Sequence, residues 1–397
     1  MEPHQRHDKA DRRGGLALGS TSVLTGSCDG VPVTAHRSWY VNPAARRFTC
    51  TPPPSEVARF HAELPGYAPT ALVDLPELAR EWDVRRVVVK DESARLGLPA
   101  FKALGVSYAL YRIICERAGC TIAPATPGNL RAALAVLPPL ELVAATDGNH
   151  GRALARFARQ LGMPAHVFVP EVVDRRTVEA IRAEGAAVTV LAEDYDTTVA
   201  RASEEADSCE SAVLVQDTAW PGYEAIPQPV VDGYATLFTE IDSQLGEQPA
   251  LVIVPMGVGP LAQAAVTHYR SQLTDRPAAL LGVEPDCAAC VLESLRAARP
   301  RRVATGTTVM AGLNCGTPSS LAWPFLRGGL DAAVTVSDDA ATAAVTELAA
   351  LEVDAGPCGR MSARGAHGPR RARRQVGSRA RRGVDGRPAK HRGQIYA

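Results

Sequence analysis

The sequence predicts an α/β protein built on mostly parallel sheets, and three observations carry that prediction. Short apolar runs rich in β-branched residues alternate with amphipathic segments at helical spacing. The connections between them are short, with no internal repeat. Glycines gather where an apolar run gives way to a helix, as in Gly148 to Gly151 and Gly257 to Gly259. In such folds ligands bind beyond the carboxyl ends of strands, so the strand-to-helix loops are where functional residues are sought.

Along the chain, residues 1–36 lack periodicity and read as a loose leader, with ordered structure expected from "SWYVNPAARRF" onward. "LVDLPELAREWDVRRVVVKDES" reads as a helix, a turn and a strand Arg86–Val89. A helix is expected from about Ala103 to Glu116, with Leu104, Tyr108, Tyr111 and Ile114 near helical spacing. After a Pro-rich connector, "LVAAT" is a strand and "GRALARFARQLG" a helix. "PAHVFVP", "AAVTVLA" and "AVLVQDTAW" are further strands, separated by the helices "RRTVEAIRAEG" and "YDTTVARASEEADS". "ALVIVP" runs through "MGVGPLAQAAVTHYR" into "AALLGVEP", a strand–helix–strand unit.

At 397 residues the chain is long enough for two domains with cores of their own. Its 46% hydrophobic and 22% charged residues suit a soluble globular protein, and no window approaches 18 uninterrupted apolar residues. The first residues lack the apolar core of a signal peptide. Nine dispersed cysteines suit free thiols in a reducing cytosol. Cys287 and Cys290 form a CxxC without a second pair or nearby histidine, so no metal site is expected. The net charge of zero hides an asymmetry: residues 360–397 carry eleven arginines and one lysine against Asp385 alone. The remainder is net acidic, which leaves nucleic acid only non-specific contact through the tail.

Several residues can do chemistry. Lys102 stands near a helix start among Phe101, Ala103 and Leu104. It is either a snorkelling side chain or a buried amine nucleophile for an aldehyde cofactor. Gly257, Val258 and Gly259 form a strand-to-helix turn able to cradle one phosphate; the glycines also serve a tight turn on geometry alone. Asn149 is a candidate donor to a phenolate oxygen, and Thr146 with adjacent amides is a candidate carboxylate receptor. Thr146 and Asp147 equally suit a helix cap. His150 reads as structural.

Read as whole strings, "VVVKDESARLGLPAFKALGVSYAL", "ATDGNHGRALARFARQLG", "VQDTAWPGYEAIPQPVVDGYATLFTEI", "MGVGPLAQAAVTHY", "GVEPDCAACVLESL" and "TVMAGLNCGTPSSLAWPFL" resemble the diaminopropionate ammonia-lyases. These belong to the tryptophan-synthase-β-like, fold type II class of pyridoxal-phosphate (PLP) enzymes. The resemblance covers roughly residues 37–359. It implies a two-domain α/β fold, each domain a mostly parallel sheet flanked by helices. Residues 37–98 and 230–359 would form the larger cofactor domain, and residues 99–229 the smaller domain carrying Lys102 and the Asn149 loop.

The implied activity is PLP-dependent α,β-elimination of 2,3-diaminopropionate, L and D, to pyruvate and two ammonia, in a cytoplasmic homodimer. Lys102 would link to the cofactor aldehyde, Asn149 would meet its phenolate oxygen, and Gly257, Val258 and Gly259 would hold its phosphate. Cys358 would face the ring nitrogen; the plainer reading is a buried small hydrophobe. Lys102 and Asp147 would act on opposite faces of the substrate with Asp217 as a second acid, and Thr146, Asp147, Gly148 and Asp217 would contact the substrate. Serine and threonine dehydratases, which share the cofactor residues but commonly carry a small residue at the position of Asp147, are the alternative. A non-enzymatic member of the fold is another.

Two features depart from the family. Val106 occupies a position where glycine or alanine is usual. Residues 360–397 replace an expected apolar helix with arginine-rich text, as a shifted reading frame after Gly359 would, or an appended basic tail.

Overall fold

The computed structural model of the chain describes residues 39–272, 274–351, 353, 356, 358, 359, 361 and 394–396. The expected leader, and the tail apart from residue 361 and residues 394–396, lie outside these described residues. The first strands are β1 (Trp39–Val41), β2 (Leu72–Asp74), β3 (Arg86–Lys90), β4 (Glu141–Ala145) and β5 (Ala165–Pro170). They are followed by β6 (Ala187–Leu191), β7 (Ala212–Leu214), β8 (Leu251–Pro255), β9 (Ala279–Pro285), β10 (Ala332–Val336) and β11 (Gln394–Tyr396).

Seven strands form one sheet in the order β1-β10-β9-β8-β11-β3-β2, antiparallel only at its two edge pairs. The other four form a wholly parallel sheet in the order β6-β5-β4-β7. Near-continuous apolar runs such as Val252–Val254 and Leu142–Ala145 suit central parallel strands covered on both faces.

The helices are α1 (Val57–Ala62), α2 (Pro76–Glu81), α3 (Lys102–Ala118), α4 (Pro127–Leu134), α5 (Asn149–Leu161), α6 (Arg175–Ala183) and α7 (Tyr195–Asp207). They continue with α8 (Pro227–Gly233), α9 (Ala235–Leu245), α10 (Pro260–Ser271), α11 (Cys290–Ala297), α12 (Trp323–Gly329) and α13 (Asp338–Ala350). Local chemistry sets many of their ends. Asp174, Asp194 and Ser337 each accept first-turn amides at the starts of α6, α7 and α13. Gly119 and Gly162 close α3 and α5 in left-handed conformation. Among the described residues no helix is long and apolar enough to cross a membrane.

The expected parallel α/β architecture is the one observed, with local differences. The helix expected at "LVDLPELAREW" begins only at Pro76, because Leu72–Asp74 pairs with β3 as an edge strand. The Pro-rich connector contains α4, started by Pro127 and capped by Thr126. Helix α3 begins at Lys102 itself. The strand expected through Trp220 stops at Leu214.

α3 is buried on nearly all sides, as its long run of apolar residues dictates. It meets α8 glycine to glycine. A Cβ on Gly233 would stand 2.5 Å from the Leu104 carbonyl oxygen and 2.7 Å from the Gly105 Cα, both backbone atoms. Val106, the departure on this helix, is fully buried in the core with Leu110 and Ile114.

The loop ahead of α3 is fixed by charge. Arg95, with no exposed surface, donates to Glu92 at 2.8 and 2.6 Å and to Glu240 of α9 at 2.7 and 2.8 Å. Glu240 also takes Lys90 Nζ at 2.6 Å and the Tyr67 hydroxyl at 2.7 Å. Such a fully partnered network is costly to break at any one member.

Because backbone cannot yield as a side-chain tip can, Gly233→Ala should destabilise the protein by about 1–3 kcal/mol. Urea unfolding monitored by circular dichroism tests this; an unchanged midpoint would show that the α3–α8 contact opens freely.

Candidate active site

Lys102 sits at the first residue of α3, with its Nζ 5.3 Å from the Phe101 ring centroid and 5.7 Å from that of Tyr234. Its ammonium forms an ion pair with Asp217, which follows the end of β7 and is 5% exposed. Burial alone would lower the lysine pKa, but the Asp217 carboxylate, with lesser help from Tyr234 and Cys315, overrides it and the net direction is up. Burial likewise pushes Asp217 up, and Lys102 with His150 more than reverses it, holding the carboxyl at about 2. The pair is therefore ionised in the free chain.

β4 ends at Ala145 and the chain turns through Thr146 and Asp147 into α5. The Thr146 hydroxyl accepts the amides of Gly148 at 2.9 Å and Gly151 at 3.1 Å, so the cap expected of this loop falls to Thr146. Gly148 adopts φ +144, ψ −78, a conformation open to glycine. Asp147 caps nothing and is left half-buried. Burial first, and the Asp217 charge second, raise its carboxyl to about 8, with Lys102 pulling the other way. Two carboxyls in one site thus differ in charge near neutrality, Asp217 ionised and Asp147 mostly neutral.

His150 is buried. Its Nε2 donates to the Val215 carbonyl at 2.7 Å, and its Nδ1 lies 4.0 Å from Asp217 without a hydrogen-bond partner. Burial lowers its pKa, which keeps the ring neutral. Asn149, beside it, is exposed on the first turn of α5.

At the end of β8, Gly257, Val258 and Gly259 turn the chain into α10. Gly259 has φ +111, and a Cβ there would meet Leu326 Cδ1 at 2.6 Å. The three amides donate to no group among the described residues, while the Val258 carbonyl accepts from Ser319. A Cβ on Gly257 would stand 3.1 Å from Cys315 Sγ and 3.5 Å from the Gly312 carbonyl oxygen. Cys358 Sγ lies 3.6 Å from the corresponding point on Gly312, and burial raises its thiol to about 11. Its thiol is therefore neutral near pH 7.

The structure brings Lys102, Asp147 and Asp217 within one another's fields and ties the glycine turn to Cys315, Gly312 and Cys358. Tyr195, Tyr234, His150 and Cys315 join them without having been singled out for function. Their partners come from distant segments, and only the "NHG" and "NCG" motifs flanking glycines marked two of them. A cleft of about 520 Å³ opens between the start of α7 and residues 302–316, lined by Tyr195, Asp196, Arg302 and Asn314 among others. Among the described residues no group of three or more His, Cys, Asp or Glu side chains is placed to hold a metal, and Cys287 and Cys290 are free thiols.

A family model described as pyridoxal-phosphate dependent enzyme matches residues 63–381. The diaminopropionate ammonia-lyase of Salmonella typhimurium is 36% identical over 298 residues, covering 71% of this chain and 72% of that protein. An L-threonine dehydratase of Mycobacterium leprae is 30% identical over 230 residues, covering 56% of this chain and 52% of its own. The solved holo structure of diaminopropionate ammonia lyase from Escherichia coli matches with a TM-score of 0.78 at 29% identity, covering 90% of this chain and 92% of that one.

The two acids give opposite pH signatures in the chain without cofactor. Asp217, held below its unfolded value, stabilises above about pH 4 and loses that contribution as pH falls through 2. Asp147, held above its unfolded value, contributes fully below about pH 4 and loses the contribution as pH rises through 8. Asp147→Asn should therefore gain on wild type progressively from about pH 4 to 8, by on the order of 1–3 kcal/mol, and then level off. Urea titrations across this range measure it; parallel curves for the two proteins would mean Asp147 is ionised throughout.

Proposed function

The chain belongs to the pyridoxal-phosphate-dependent enzymes and, among them, to the diaminopropionate ammonia-lyases; on that premise we propose that Lys102, Asp147 and Asp217 carry its reaction. That reaction is the PLP-dependent elimination of ammonia from 2,3-diaminopropionate. The observation that carries the residue assignment is the buried Lys102–Asp217 ion pair with a second carboxyl, Asp147, kept protonated beside it.

The residues fit the cofactor. The amides of Gly257, Val258 and Gly259 at the start of α10, without partners among the described residues, suit a phosphate, and the glycines let the turn pack against Cys315 and Leu326 where Cβ atoms would clash. Lys102 supplies the amine, Asn149 a donor on an exposed turn, and Cys358 a neutral thiol for the ring nitrogen. When bound, PLP supplies an aldehyde for amine exchange and an electron-poor ring that accepts the electron pair left by the α-proton.

The chain's own groups then divide the proton work. Asp217 keeps the lysine ammonium in place and offers the same carboxylate to a cationic substrate amine. Lys102 Nζ would take the α-proton of the L isomer as the neutral amine left free by amine exchange, and would so become the ammonium paired with Asp217. Asp147, its pKa near the working pH, is suited to take or return a proton on the opposite face for the D isomer. His150, neutral and fixed through Val215, adds no charge to this balance. The β-amine leaves as ammonia, and the unsaturated amine released hydrolyses to pyruvate and a second ammonia.

The two sheets are read as the two domains of this fold, the four-stranded one lying within residues 99–229. A homodimer in the cytoplasm completes the proposal. The dehydratase reading shares the cofactor residues; the acid at Asp147, where dehydratases commonly carry a small residue, favours a diamine substrate over serine or threonine.

With PLP, wild type should show a visible absorbance band that Lys102→Ala abolishes, and should release pyruvate from both isomers. Asp147→Ala should cut turnover of the D isomer by about 10²-fold or more, and that of the L isomer much less. Faster turnover of threonine than of diaminopropionate would overturn the substrate, and equal losses on both isomers would overturn the division of faces.

A further inference from the structure

We infer that Gln216 is a positioning residue: its side-chain amide replaces a missing rung of the β4–β7 ladder and thereby sets Asp147 against Asp217. The inference rests on the reading of these two acids given above.

Strands β4 and β7 run parallel, paired from Glu141–Ala212 to Val143–Leu214, and the Val215 amide still donates to the Val143 carbonyl at 2.8 Å. In a parallel pair the amide and carbonyl of one residue point to the same neighbour, so Ala145 presents both groups toward β7. Its ordinary acceptor there would be the Val215 carbonyl. That oxygen is taken by His150 Nε2 at 2.7 Å, and the chain turns away.

Gln216, with no exposed surface, fills the gap. Its Oε1 accepts the Ala145 amide at 3.1 Å and its Nε2 donates to the Ala145 carbonyl at 3.0 Å. The same Nε2 donates to the Tyr195 hydroxyl at 3.0 Å, which ties in the start of α7 at the cleft. Both polar groups of a buried strand end are satisfied although the partner strand has stopped. The backbone after Gln216 is thus free to deliver Asp217 to Lys102, while the strand two residues before Asp147 stays fixed.

Losing the clamp affects the two acids unequally. Asp217 keeps its Lys102 partner, and the backbone beside it keeps the Tyr223 hydroxyl, which accepts the Gln216 amide at 3.1 Å and donates to the Leu214 carbonyl at 2.7 Å. Among the described residues the Asp147 side chain makes no hydrogen bond, so its placement depends on where β4 ends.

The test compares Gln216→Ala and Gln216→Glu as PLP-loaded enzymes. In Gln216→Ala, turnover of D-diaminopropionate should fall about tenfold or more while that of the L isomer falls only slightly, since misplacing a group by a fraction of an ångström costs rate steeply. Hydrogen exchange at the Ala145 amide should quicken. Gln216→Glu keeps the shape, but only its protonated form can donate to the Ala145 carbonyl, and burial favours that form. Its D-to-L ratio should recover toward wild type as pH is lowered, and that of Gln216→Ala should not. An unchanged ratio in Gln216→Ala, or the same ratio in both variants at every pH, would overturn the inference. If Gln216→Ala does not fold, the pH response of Gln216→Glu decides. If wild type releases no pyruvate from diaminopropionate, the functional reading has failed, and the Ala145 exchange rates still decide the clamp.

Discussion

An ammonium ion stays inside a protein only beside a countercharge, and the Lys102–Asp217 pair is the contact around which the rest of the molecule is arranged. Lys102 has to come from a helix buried on nearly all sides, which requires α3 to lie against α8 at the Gly105–Gly233 crossing. Asp217 has to leave its strand early, which requires His150 and Gln216 to take over the hydrogen bonds that the strand abandons. The Arg95–Glu240 network ahead of Lys102 is a second buried charge cluster, and it fixes the loop from which the lysine helix starts.

Burial first, and the Asp217 charge second, decide the state of the remaining acid. With one carboxylate already spent on the lysine, a second negative charge nearby in a buried setting is unfavourable, and Asp147 stays protonated to about 8. The site thus separates two chemically identical groups into a fixed charge and a mobile proton by environment alone. The thiols at Cys315 and Cys358 extend the same logic, since burial keeps both neutral near the glycine turn.

Much of this was legible in the sequence where a residue's role is local. Strand-to-helix glycines, the lysine at a helix start and the alternation of runs are properties of neighbours along the chain. What was not legible depends on partners far away. His150 reads as structural beside Gly151, and nothing near it announces that its ring faces Asp217. Gln216 looks like one more polar residue at a strand end, because its partners, Ala145 and Tyr195, lie in other elements. The extended reading of "AVLVQDTAW" overran for the same reason: propensity carries the strand onward, and a histidine from α5 stops it. β2 and α4 were hidden differently, the first by the helical signal of the residues after it and the second by the prolines around it.

The two sheets also differ in how far apart their strands lie in the chain. β4 to β7 occupy residues 141–214 without interruption, whereas the seven-stranded sheet is completed by β11, Gln394–Tyr396, lying between β3 at Arg86–Lys90 and β8 at Leu251–Pro255. Closing such long loops is entropically slower than joining neighbours. The expected order of assembly is therefore the small sheet first, carrying both acids in place, and the large sheet afterwards. The phosphate-type cradle at Gly257–Gly259 belongs to the late half and the acids to the early half. On that order, the site is complete only when the slower half has joined the faster one.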